Sequence, residues 1–254
     1  VNPLTTAAAT RLLQDWDEQQ SAYVAHRENR FAVMLDVLRL HFPGGKVNVL
    51  DLACGPGAIP RRVLQAFPHA EVTAVDYDPI LLQIATAVLT EHGTRARVVD
   101  ADLATPDWPA TLDARPGAVL SSTALHWLSP AQLLAVYQAA AALLPPGGVL
   151  LNADHLRFDD SSPTLRDLAG RHDETTQREG FAAGALDYAA WYAKAIREPE
   201  LAALAPVRNQ RFANRPPQPL ASLEFHLAAL HTAGFAEVGT VWQYLDDYVV
   251  FARR

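Results

Sequence analysis

The 254-residue chain carries 28 acidic against 21 basic side chains, a formal net charge of −7, and half of its residues are apolar. That length can bury a sizeable core as one α/β domain, no apolar run approaches the roughly 18 residues that span a bilayer, and the acidic balance argues against a nucleic-acid enzyme, which needs a basic face for phosphates. Cys54 is the single cysteine, so no internal disulfide can form; with no secretory pattern at the start, a cytoplasmic, reducing location is expected.

Residues 5–27 and 28–42 read as two helices, the second with Phe31, Met34, Leu35, Leu38 and Phe42 at helical spacing, and Pro43-Gly44-Gly45 stops it. Tyr23, His26, Arg27 and Arg30 project from this region. The run from Val49 to Leu52 then reads as a strand that ends in Asp51 and the turn Ala53-Cys54-Gly55-Pro56-Gly57. Gly55 and Gly57 allow positive φ and a close backbone approach to a ligand, and Pro60 suits the first turn of the following helix. A second apolar run ends in Asp76, about 20 residues beyond the glycines, the spacing at which such folds place an acid on ribose hydroxyls. Asp78-Pro79 reads as the cap and first residue of the next helix.

Further strands are expected at Arg97–Val99, leading to Asp100 and Asp102, and at Ala118–Ser122, leading to the loop Thr123–Leu128. The alanine-rich stretch 131–144 reads as a sheet-covering helix, and Pro145-Pro146-Gly147-Gly148 as the turn into a fifth strand. Residues 155–219 carry Trp191 and Tyr192 in a helical pattern with Leu186 and Ile196, then a loop-like segment from Arg208 to Pro219. After Ala233-Gly234-Phe235 an antiparallel hairpin is expected, running to Phe251.

These motifs together resemble the class I methyltransferases that use S-adenosylmethionine (SAM), from Val47 to about Asp154 and again from Ala233. The resemblance implies a seven-stranded Rossmann-like sheet, mostly parallel with a C-terminal antiparallel hairpin and helices on both faces. It divides one domain, 1–254, into an N-terminal helical cap (1–46), a cofactor-binding core (47–154), an acceptor-side insert (155–219) and a final helix and hairpin (220–254). It places SAM against Asp51, Ala53, Gly55 and Gly57, with Asp76 and Tyr77 at the ribose and Asp102 and Leu103 at the adenine, Asp100 remaining an alternative to Asp102. Ser122 falls beside the methyl donor. Tyr23 and Arg30 lie on the cap that crosses the cofactor, Arg30 as the arginine that reaches the SAM carboxylate. Ala53 replaces the family's usual first glycine, and Gly117 stands where an acid is common.

The chemistry implied is in-line transfer of an activated methyl group to a small molecule with an oxygen nucleophile. His126 lies in the loop after strand four, where it would deprotonate a hydroxyl or hold a carboxylate. Leu125-His126-Trp127 resembles the same tripeptide in carboxyl methyltransferases of the trans-aconitate type, and His155 is a second candidate base. No metal is expected: His226 and His231 are five apart on a helix, and Asp154, Asp159 and Asp160 read as a solvated turn. Insertions such as 155–219 roof the acceptor pocket in similar enzymes, so Trp191 and Tyr192 are expected there. A SAM-binding protein without methyl transfer, or a cyclase-like enzyme, is an alternative. A nicotinamide-dependent oxidoreductase is a weaker one, because Pro60 occupies the third glycine of G-x-G-x-x-G.

Overall fold

The computed structural model describes residues 3–219 and 221–254; Val1 and Asn2 of the expected cap and Leu220 at the start of the expected final segment lie outside the described residues. Among the described residues seven strands form one sheet: β1 (Asn48–Leu52), β2 (Glu71–Asp76), β3 (Ala96–Asp100), β4 (Ala118–Ser122), β5 (Val149–His155), β6 (Glu237–Tyr244) and β7 (Asp247–Arg253). Their order is β3-β2-β1-β4-β5-β7-β6. The first five run parallel, and β7 lies antiparallel between β5 and β6. This is the sheet that the sequence leads one to expect.

The central strands are apolar on both faces because both are covered. Val49, Ala74, Leu120 and Leu151 point into one core, Leu50, Val75, Val119 and Leu150 into the other. The first core is closed by α1 (Thr6–Tyr23), α2 (Arg27–His41), α3 (Ala58–Ala66), α4 (Pro79–Leu89) and the insert helix α7 (Tyr188–Ala195); the second by α5 (Pro130–Leu143) and α10 (Leu223–Thr232). Helix starts follow local chemistry. Asp78 caps α4 by accepting from the Ile80 and Leu81 N–H groups, and Ser129 with Gln132 forms a capping box on α5, each with proline at the first helical position.

Two boundaries differ from expectation. The first two helices break at Val24, whose buried side chain ends α1, rather than at residue 27. The insert also holds α6 (Pro163–Ala182), α8 (Pro199–Ala202) and α9 (Ala205–Phe212), so the segment that begins at Arg208 is helical to Phe212 and irregular only beyond it. α6 crosses α1 so closely that a Cβ on Gly180 would lie 2.6 Å from Cβ of Ala22.

Candidate active site

The carboxyl ends of β1 to β4 open, beneath α1, α6 and α9, into a cavity of about 870 Å³, at the upper end of the size range of small-molecule sites. Its floor is the turn after β1. Ala53, Gly55 and Gly57 all take positive φ, at 56°, 57° and 94°. The Gly55 N–H donates to Oδ2 of Asp76 at 2.8 Å, and Oδ1 of Asp76 accepts from the N–H groups of Tyr77 and Asp78 at 2.7 and 2.8 Å. One carboxylate thereby ties the first turn to the second. Burial nevertheless outweighs these bonds and raises the Asp76 pKa.

Asp51 lies on the cavity wall with both carboxyl oxygens buried and, among the described residues, without a hydrogen-bond partner. Burial, then the charge of Asp76, pushes its pKa well above the usual carboxylate range. A buried acceptor left unpaired costs about 1–3 kcal/mol, so a ligand that brings donors to this wall recovers that cost. Asp102 and Leu103 line the cavity beside Tyr77, whereas Asp100 does not; it is held by the Arg211 guanidinium at 2.8 and 2.9 Å. Among the described residues, nine of the expected SAM set line this one cavity: Tyr23, Asp51, Ala53, Gly55, Asp76, Tyr77, Asp102, Leu103 and Ser122.

Two members of that set do not. Gly57 turns away, caps α3 and packs against Ala85 of α4, 3.5 Å from where its Cβ would be. Arg30 is wholly buried beneath the floor, where it pairs with Asp247 and donates to Oγ1 of Thr123 at 3.4 Å. Burial pulls its pKa down to about 10, with Asp154 working against that, so it remains a cation that needs a buried counter-ion, and β7 supplies one. Arg27, one turn earlier, is the cap arginine that reaches the cavity, paired with Asp17 at 2.6 Å.

The other end holds the expected histidines. Nδ1 of His126 lies 2.6 Å from Oδ1 of Asp154, and the His126 backbone N–H reaches Oδ2 at 3.2 Å. Burial works to raise the Asp154 pKa, but the charge and hydrogen bond of His126, with Arg30 behind, hold it down to about 2. Asp154 is thus fully buried as a carboxylate, not part of a solvated turn; only Asp159 and Asp160 are exposed. An anion at Nδ1 fixes the N–H there and leaves Nε2 as the basic nitrogen. His155, the last residue of β5, lines the same cavity with Nδ1 2.7 Å from Oδ1 of Asp247, although that approach lacks hydrogen-bond geometry. Burial, then Arg30 and Arg157, drives its pKa well below the usual value and keeps it neutral.

Trp191 and Tyr192 do not form the acceptor pocket. Trp191 is fully buried, edge-on to Trp16, with its indole N–H on the Leu12 carbonyl, and Tyr192 donates to Asp78. The insert's aromatic contribution to the cavity is Tyr188 and Phe212. His226 is buried against the Tyr137 hydroxyl at 2.7 Å, which explains a lone helical histidine without a metal. Among the described residues no group of three or more His, Cys, Asp or Glu side chains is arranged to hold a metal ion, and no helix is long and apolar enough to cross a membrane.

Residues 49–148 match the family described as a methyltransferase domain. Trans-aconitate 2-methyltransferase of Streptomyces avermitilis is 31% identical over 161 residues, 61% of this chain and 56% of that protein. Carboxy-S-adenosyl-L-methionine synthase of Chromohalobacter salexigens is 24% identical over 204 residues, 78% of this chain and 65% of that one. The fold is shared with the S-adenosylmethionine-dependent methyltransferase SibL (TM-score 0.53, 24% identity, 87% of this chain and 54% of that one). It is shared also with PigF, whose structure contains SAH (TM-score 0.55, 15% identity, 88% and 55%). The chain spans between about half and two thirds of the length of these proteins.

Proposed function

We propose, from the premise that this chain carries a class I S-adenosylmethionine-dependent methyltransferase domain, that it transfers a methyl group from SAM to an oxygen of a small molecule. Cap, core, insert and hairpin act as one domain around one cavity, in a reducing compartment, on a small molecule rather than on nucleic acid. The observation that carries this reading is His126 at the cavity wall with the buried Asp154 behind it, 2.6 Å away, in the same cavity as a turn and two acids suited to a nucleoside.

SAM, when bound, supplies a methyl carbon already activated by its sulfonium. The chain's residues do the rest. Asp51 and Asp76 would accept hydrogen bonds at the cofactor's ammonium and ribose ends, and Asp102 at its adenine. Closure by α1, α6 and α9 keeps water from the methyl, and holding the acceptor oxygen in line with it supplies part of the roughly 7–11 kcal/mol available from orientation. His126 takes the acceptor's proton at Nε2, or holds the acceptor's carboxylate where no proton must leave. Asp154 is the positioning residue: it fixes the tautomer and supports the positive charge that His126 gains.

The trans-aconitate methyltransferase relatives support a carboxylate oxygen as the methylated atom. The relative that makes carboxy-S-adenosyl-L-methionine, matched over the longer stretch, supports a second reading in which the charged sulfonium is used without methyl transfer to an acceptor. Turnover of SAM with a panel of small acids, phenols and amines, read as S-adenosylhomocysteine (SAH) and methylated product, separates the two. His126→Ala is expected to lower kcat by about 10²- to 10⁴-fold if it is a base, or mainly to raise the acceptor KM if it only binds. Unaltered kinetics on a true acceptor would remove His126 from the reaction.

A further inference from the structure

Five arginines reach the cavity wall, and four arrive with their charge already answered. Arg27 lies on Asp17, Arg157 on Asp173 and Asp246, Arg208 on Asp78, and Arg211 on Asp100. His155 adds no charge, being held neutral. Arg215 is different. Among the described residues no carboxylate and no hydrogen-bond acceptor meets its guanidinium; its Cζ stands 3.8 Å from the centre of the Trp127 ring and 5.2 Å from that of Phe212. A cation laid on aromatic faces keeps its outward N–H groups for a ligand. The same Trp127 ring lies 5.4 Å from the ring of His126. Arg215, which has no ion-pair partner among the described residues and feels the charge of Asp76 only from further off, and the candidate base therefore both lie against one side chain, close enough for one small molecule to touch both.

We infer that the acceptor is a small molecule with one anionic group, recognised by Arg215, set apart from the oxygen that faces His126. This rests on the methyl-transfer reading above and narrows its substrate class. A polycarboxylate is disfavoured, because a second and third carboxylate would meet arginines already paired and a wall that carries Asp51, Asp76, Asp78 and Asp102. In this respect the site departs from what the name of its trans-aconitate relatives would suggest.

The test uses the full chain saturated with SAH, titrated calorimetrically with 2-, 3- and 4-hydroxybenzoate as monoanions, their methyl esters as neutral twins, and trans-aconitate as a trianion. At least one hydroxybenzoate should bind about tenfold or more tightly than its ester and than trans-aconitate, as expected for a charge pair with one partner present or absent. In Arg215→Gln that preference should vanish, in Arg215→Lys part of it should remain, and SAH affinity should be unchanged in both. Tightest binding by trans-aconitate, no binding by any probe, or a preference that survives Arg215→Gln overturns the inference. So does a loss of SAH affinity in that variant, which would assign the guanidinium to the cofactor's own carboxylate. Binding is read without turnover, so loss of the Arg215-dependent preference overturns this inference and leaves the methyl-transfer reading standing, whereas that reading falls only if no acceptor of the panel above yields SAH and methylated product.

Discussion

The guanidinium of Arg30 donates to Oγ1 of Thr123, a residue held at φ 55° two positions before the loop of His126 begins to turn. Left-handed backbone at a β-branched residue is strained; the Thr123 N–H is held by the Ala153 carbonyl at 2.9 Å and its hydroxyl by the buried cation. Arg30→Met would leave Asp247 buried against a neutral imidazole alone, and a loss of about 3–5 kcal/mol is expected in urea unfolding. Arg30→Lys should keep the charge but not both contacts, lowering turnover more than SAH affinity. A tenfold loss of SAH affinity in Arg30→Lys at unchanged stability would instead put Arg30 on the cofactor.

Asp154 titrates with a consequence for acid stability. A carboxyl held at about 2 in the fold, against about 3.9 unfolded, contributes on the order of 2–3 kcal/mol above pH 4. That contribution is lost as pH falls from about 4 toward 2. Asp154→Asn should lack this acid-sensitive component in a pH series of thermal melts, and its kcat should fall by about 10²-fold or more with SAH affinity intact. Equal pH slopes in both proteins would show that the pair is not formed.

Ala53 sits at φ 56° where similar enzymes use glycine. Ala53→Gly removes the clash of Cβ with the carbonyl, worth roughly 1–2 kcal/mol, offset in part by the freer unfolded chain. The melting temperature should rise slightly while SAH still binds. A fall in melting temperature would mean that the methyl group packs against more than it strains.

Arg211 spans the cavity rim: it grips Asp100, donates to the Tyr77 carbonyl at 2.6 Å and lies over the Tyr77 ring. We expect this contact to slow cofactor exchange. It is partly solvated and worth about 0.2–1 kcal/mol, so Arg211→Ala should raise the SAH dissociation rate up to about fivefold with a melting shift of only a few degrees. Hydrogen exchange should rise in α9 and not in α6. An unchanged dissociation rate would show that ligands leave by another side.

What the sequence made legible is what it encodes locally. The turn at Gly55, the cap at Asp78, the acids at the carboxyl ends of β1, β2 and β3 and the hairpin each depend on neighbours within a few positions. The partners that decide chemistry do not. His126 meets Asp154 across 28 residues and Arg30 meets Thr123 across 93, and nothing in either segment names the other. Asp154 read as solvated because it clusters in sequence with Asp159 and Asp160; its place in β5 buries it. Arg30 read as a cofactor ligand because its segment matches a motif, but Asp247 on a distant strand claims it first. Trp191 and Tyr192 failed for the opposite reason: large aromatics in an insert are as useful for fastening it to Trp16 and Asp78 as for lining a pocket.

The insertion of β7 between β5 and β6 gives the molecule an order of assembly. The wall built from β1 to β4 is complete once those strands have paired, whereas the buried Arg30 has no counter-ion until Asp247 arrives on β7, the last of the described strands. During synthesis or refolding, competence to hold the cofactor should therefore precede competence to use it. Interrupted refolding would reveal the interval, as SAH binding recovered before turnover, and recovery of both in a single phase would deny it. For a cell, such a delay means that an incomplete copy can sequester cofactor but cannot spend its methyl group.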